Sequence, residues 1–131
     1  MKYRLMDVLA CPICKTFPLE LMVLSERLLE GVEAPEGFSC HDYCGLERKP
    51  VKDISGELRC RECFAHEVEE GVLYCPGCGR WYPIIDDIPR LLPDQIRERT
   101  REVELAFLRK HREKLPDKVV LEGKPFNLSG E

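Results

Sequence analysis

Eight cysteines in a chain of 131 residues fall into four close pairs: Cys11 with Cys14, Cys40 with Cys44, Cys60 with Cys63, and Cys75 with Cys78. A C-x2-C pair sets two thiolates on one tight turn so that both reach one ion, and two such pairs complete a tetrahedral zinc site. The first and last pairs read Cys11-Pro-Ile-Cys14-Lys15 and Cys75-Pro-Gly-Cys78-Gly79. Proline after the first ligand presets φ for the turn, and Gly79 tolerates φ > 0 directly after the last. The pattern predicts a zinc site at Cys11, Cys14, Cys75 and Cys78, with a disulfide framework as the alternative.

Four pairs allow nested, sequential or interleaved pairing. Interleaving is the cross-brace of RING domains, which keep their second and third pairs only a few residues apart; here 15 residues separate Cys44 from Cys60. Nested pairing makes Cys40, Cys44, Cys60 and Cys63 a second zinc site, with disulfides or free thiols as alternatives. Cys40-x3-Cys44 is a looser claw, and His41 and His66 are substitute ligands within reach in sequence. A small insertion with no other core has reason to need such a staple. Four thiolates leave no open coordination position, so either zinc would hold the fold rather than activate water.

The rest of the chain lacks catalytic signatures. His41 and His66 neighbour cysteines, His111 lies in a charged helical stretch, and Asp86-Asp87 is a turn whose carboxylates point apart. No phosphate-binding glycine loop or nucleotide fingerprint occurs. A binding subunit is expected, not an enzyme. Apolar residues from Leu5 are interrupted by Asp7, which leaves no signal-peptide core, and no apolar run approaches the roughly 18 residues of a membrane span. The expected location is a reducing cytoplasm. The net charge is −4, with 11 Lys and Arg against 16 Asp and Glu in residues 1–93. That lacks the basic footprint of an autonomous nucleic-acid binder.

The expected class is α+β: a small zinc-ribbon-like antiparallel sheet domain (1–24 with 64–93), an inserted Cys-rich module (25–63), and a long C-terminal helix with its tail (94–131). Leu5, Val8 and Leu9 fit one helical turn, and Leu19, Leu21 and Val23 alternate as in a half-buried strand. Glu67–Tyr74 reads as a hairpin turning at Glu70-Gly71 and delivering Cys75. Pro83 favours an edge strand. Residues 93–115 read as one helix of about 33 Å, with Ile96, Val103 and Phe107 on one apolar stripe, facing either its own domain or a partner. The apolar run from Trp81 to Pro89 must either cover the core or meet a partner.

Leu5–Lys15, Pro18–Leu21 and above all Leu73–Leu92, with its Tyr-Pro-Ile-Ile-Asp-Asp-Ile-Pro-Arg-Leu-Leu stretch, resemble the multifunctional methyltransferase subunit family. The resemblance implies a zinc-ribbon-like domain with zinc on the outer quartet. It also implies a partner-facing block containing Trp81, Tyr82, Pro83, Ile84, Ile85, Ile88, Pro89, Leu91 and Leu92. Members have no methyltransferase chemistry of their own. They pair a strand with an edge of a Rossmann-type catalytic subunit, forming a heterodimer in which the partner holds S-adenosylmethionine and reads the tRNA or protein substrate. A zinc-ribbon module binding nucleic acid or a transcription complex is the alternative function, and a rubredoxin-like iron carrier a third. Where the family usually has Asp-Gly, this chain has Asp86-Asp87, and the insertion and C-terminal segment are its own.

Overall fold

Two apolar cores, one on each face of a single antiparallel sheet, organise the chain. The computed structural model describes residues 1–131. In chain order there is a 3-10 turn (Tyr3–Asp7), strand β1 (Glu20–Leu28), the short strands β2 (Tyr43–Cys44) and β3 (Lys49–Pro50), and a 3-10 turn (Val51–Asp53). Helix α1 (Cys60–Ala65) and strands β4 (His66–Tyr74), β5 (Trp81–Ile85) and β6 (Ile88–Pro89) follow. The C-terminal segment holds α2 (Asp94–Arg99), α3 (Arg101–His111), a 3-10 turn (Arg112–Lys114) and α4 (Asp117–Val120). The main sheet has the order β1-β4-β5-β6, and β2 and β3 form a separate small hairpin. The α+β class is as expected, and no helix is long and apolar enough to cross a membrane.

Strand alternation sends Leu21, Leu73, Tyr82 and Ile84 into the first core, and Met22, Val72, Trp81 and Ile85 into or against the second. Val68 and Leu73 lie an odd number of positions apart, yet both face the first core. The β1–β4 register slips at Val23/Ser25 and Ser25/Glu26, and each slip reverses the alternation locally. Strand β1 also continues past Leu24 to Leu28, so the segment between the two long strands spans residues 29–65.

The hairpin expected at Glu70-Gly71 does not form; β4 runs straight through both residues. Gly71 faces Val23 on β1 and Ile84 on β5. A Cβ there would lie 2.6 Å from the Met22 carbonyl oxygen. The glycine serves close strand approach, not a turn. The hairpins lie elsewhere, at the 75–80 knuckle and at Asp86-Asp87. The latter is a two-residue loop with φ of 50° and 70°, the positive pair that twists a tight hairpin in the same sense as its strands.

Pro83 lies within β5 opposite Val72. Its carbonyl accepts from the Arg90 amide on the outer side, and N and C=O of one strand residue face the same way. Its missing N–H therefore falls away from β4 and removes no rung of that ladder.

The long helix is broken at Thr100, where φ and ψ are −107° and 14°. The Thr100 hydroxyl is 3.2 Å from the Arg97 carbonyl and 2.7 Å from Glu104 Oε2, a local bonding pattern that competes with helix continuation. The break shifts the helical phase. Ile96 and Val103 face solvent, while Phe107 is buried with Leu105 and Leu108 and, from the intervening positions, Arg97 and Glu104. The C-terminal segment packs on its own sheet: Leu108, Val119, Phe126 and Leu128 cover Val72 and Trp81. The indole N–H of Trp81 donates to the Phe126 carbonyl at 2.9 Å.

Candidate metal centre

Cys11, Cys14, Cys75 and Cys78 come together at one end of the sheet, all four sulfurs within 4.8 Å of one another. Cys14 and Cys75 stand 3.4 Å apart, and Cys11 and Cys78 3.7 Å. A tetrahedron with ~2.3 Å zinc–sulfur bonds has edges of about 3.8 Å. The donor set and its spacing therefore suit one zinc ion.

Two matching knuckles build the site. The Lys15 amide donates to the Cys11 carbonyl, and the Gly79 amide to the Cys75 carbonyl, each at 2.9 Å. The Cys11 and Cys75 amides in turn donate to the carbonyls of Thr16 and Arg80. The residue after each second cysteine is left-handed, Lys15 at φ 67° and Gly79 at φ 80°. The glycine expected to permit this is present in one knuckle only; in the other, Lys15 holds the same conformation and its ammonium donates to the Pro12 carbonyl at 3.0 Å.

The surroundings of the four thiols are unequal. The Thr16 hydroxyl and amide stabilise ionised sulfur at exposed Cys14 and pull that thiol down to about 6. Burial pushes Cys75 up to about 12. Four adjacent thiols do not ionise together on their own; a divalent ion would supply the missing charge. Tyr82 Oη lies 3.3 Å from Cys11 Sγ. Burial, then that sulfur, keeps its phenol neutral, so it donates to the thiolate. Arg80 pairs with Asp94 at 2.8 Å, and both the Asp94 pair and the Cys78 sulfur hold its charge. Thr16, Arg80 and Asp94 carry no motif of their own, so the spacing of cysteines did not reveal them.

Cys40, Cys44, Cys60 and Cys63 are free thiols and do not form such a tight group. Asp7 anchors their segment, accepting from the His41, Asp42 and Tyr43 amides at 2.8–2.9 Å. Burial acts to raise the Asp7 carboxyl, but the three amides outweigh it and hold the group below the usual carboxylate range. Asp7→Ala is expected to lower stability by about 2 kcal/mol, read by denaturant melts, with faster hydrogen exchange at residues 41–43. A depressed carboxyl stabilises above its ordinary value, and the contribution is lost as pH falls through its folded-state value. The variant should therefore show a flatter acid limb in stability against pH.

Residues 2–87 match the family model described as Trm112p-like protein. The chain belongs to the Trm112p-like protein family. The match covers both knuckles, strands β1 to β5 and the insertion; β6 and α2 to α4 lie beyond it. No curated protein gives a significant match to the chain. The Trm112p-like family is one of small, non-catalytic activators of multiple methyltransferases, so this chain falls into the class of methyltransferase-activating subunits.

Within that class the block from Trp81 to Leu92 requires correction. Trp81, Tyr82, Pro83 and Ile84 are buried, because β5 has a core on each face. They hold the sheet together and do not form a surface. Ile85, Pro89, Leu91 and Leu92 are half-buried, and Ile88 is 63% exposed. What remains accessible of the block lies at the β6 end of the sheet.

Proposed function

We propose that this chain is a zinc-binding, non-catalytic activating subunit of S-adenosylmethionine-dependent methyltransferases that modify tRNA or other translation components in the cytoplasm. The observation that carries this reading is the family match over the two knuckles and the sheet between them, joined to a four-thiolate cluster of zinc dimensions. A closed site of four cysteines offers no vacant position for substrate or water, which suits a structural role for the metal. S-adenosylmethionine and the substrate would be bound by a Rossmann-type partner in a heterodimer. The accessible edge around Ile88, Pro89, Leu91 and Leu92, at the end of the strand order β1-β4-β5-β6, is the surface on which that partner would pair.

Affinity capture of the tagged chain from its native cells, with mass spectrometry and zinc analysis of the eluate, tests the reading. Near-equal recovery of S-adenosylmethionine-dependent methyltransferases, with zinc, is expected. Recovery of polymerase subunits, or salt-sensitive RNA binding by the isolated chain, would replace it with a zinc-ribbon nucleic-acid module. Ile88→Asp should leave zinc content and thermal stability unchanged, since the side chain is mostly in solvent. It should weaken the captured complex roughly 100-fold, because docking would bury a charge. Unchanged affinity would move the interface off β6.

A further inference from the structure

We propose that the insertion holds a second tetrahedral, thiophilic metal site, most simply for zinc, formed by Cys40 and Cys44 from one side and Cys60 and Cys63 from the other. This inference is independent of the activator reading. It begins from what residues 29–65 lack. Their regular structure amounts to two-residue strands, one 3-10 turn and the short α1. Their buried side chains are Tyr43, Cys44, Cys63 and Phe64, half of them the candidate ligands themselves. So little apolar burial does not offset the entropy of ordering such a segment, and segments of this kind are stapled by disulfides or metals. All eight cysteines are free thiols.

Contacts that do not involve sulfur bring the two pairs together. The rings of Phe38 and Phe64, which flank Cys40 and Cys63, meet edge-on at 4.9 Å. Arg59, next to Cys60, donates to Glu47, three residues past Cys44, with Nε at 2.6 Å and Nη2 at 2.5 Å from one carboxylate oxygen. The segment carrying Cys40 and Cys44 is thus clamped against both ends of α1. The Glu47 amide points at Cys44 Sγ at 3.5 Å, the amide-to-sulfur bond that favours a thiolate. Gly45 completes the approach: a Cβ there would lie 2.0 Å from the Tyr3 carbonyl oxygen, so the turn after Cys44 seats directly on the N-terminal 3-10 turn.

No three of these sulfurs fall within 4.8 Å of one another, unlike the outer four. Cys44 and Cys63 are buried, whereas Cys40 and Cys60 are only partly so. The two partly exposed side chains are the ones that swing in around a metal held by the buried pair. A donor set of four thiolates selects zinc over harder cations.

The test is metal stoichiometry of the full chain purified under reducing conditions, by native mass spectrometry and elemental analysis. The wild-type chain should carry about two zinc equivalents, and Cys60→Ser about one, with the outer site retained. Cobalt substitution should give thiolate-to-metal absorption of about twice the intensity in the wild type as in the variant. If Cys60→Ser does not fold, the wild-type stoichiometry decides alone. One equivalent in the wild type, with the inner four thiols open to rapid alkylation in the native protein, would overturn the proposal. An intact mass showing two disulfides among the inner cysteines would overturn it equally.

Discussion

Cys75→Ser is expected to abolish zinc binding at the outer site and to unfold the ribbon, the largest effect any single substitution should have here. Cys75 is fully buried in the first core, alongside Cys11, Tyr82 and Leu73, so its ligand role and its packing role fail together. Structural zinc contributes about 10–16 kcal/mol to small sites of this kind, comparable to or above the roughly 5–15 kcal/mol total stability of a domain. Loss of the metal leaves the three remaining thiols, of Cys11, Cys14 and Cys78, with no shared cation, and both knuckles open. The measurement is zinc content with near-ultraviolet circular dichroism and amide dispersion. A Cys75→Ser chain whose ribbon stays folded with no zinc at the outer site would refute the site's structural role.

The second large effect lies on the other side of Tyr82 from the cysteines. Glu104→Ala should destabilise the chain by about 3–5 kcal/mol. Arg97 and Glu104 are both fully buried. Arg97 Nε donates to Glu104 Oε1 at 2.8 Å, and Nη2 stands 2.7 Å from the same oxygen. Nη1 has no acceptor. The guanidinium instead lies among the rings of Trp81, Tyr82 and Phe126, with centroids at 4.8, 5.1 and 5.4 Å. Removing the carboxylate strands a cation in that aromatic cage. A fall in Tm of more than about 10 °C is expected, and the double variant Arg97→Met with Glu104→Leu should recover most of it, because an apolar pair needs no desolvation. A loss below about 1 kcal/mol for Glu104→Ala would show that water reaches the pair.

These two sites divide what was legible in the sequence from what was not. The outer quartet follows from local chemistry: Cys-Pro-x-Cys shapes its own turn, and the two turns bring four sulfurs within reach of one ion. The likeness of residues 73–92 to the methyltransferase subunits likewise pointed to the family that the match over 2–87 establishes. The strand at Leu19–Val23 was visible from alternation. Gly71 was misread because a glycine between charged and apolar residues has the same local signature in a turn and at a close crossing of strands. Trp81 to Ile84 were placed on a surface because the sheet's second cover could not be seen. Apolar residues look alike whether they meet a partner or another segment of their own chain.

The sequence by itself marked the four cysteines that cluster, the strand through Leu21 and Val23 and the family, since each depends on residues close in the chain or on a short repeated spacing. Only the tertiary structure decided which side of the sheet is closed. Residues 94–131, beyond the matched region, break at Thr100, rotate Arg97 and Glu104 inward and cover Trp81 and Val72. That outcome depends on the phase shift at one threonine and on a buried ion pair between positions seven residues apart. Neither has a periodic signal, because a charged residue joins a core only when the fold brings its counterion and its aromatic cage to the same place.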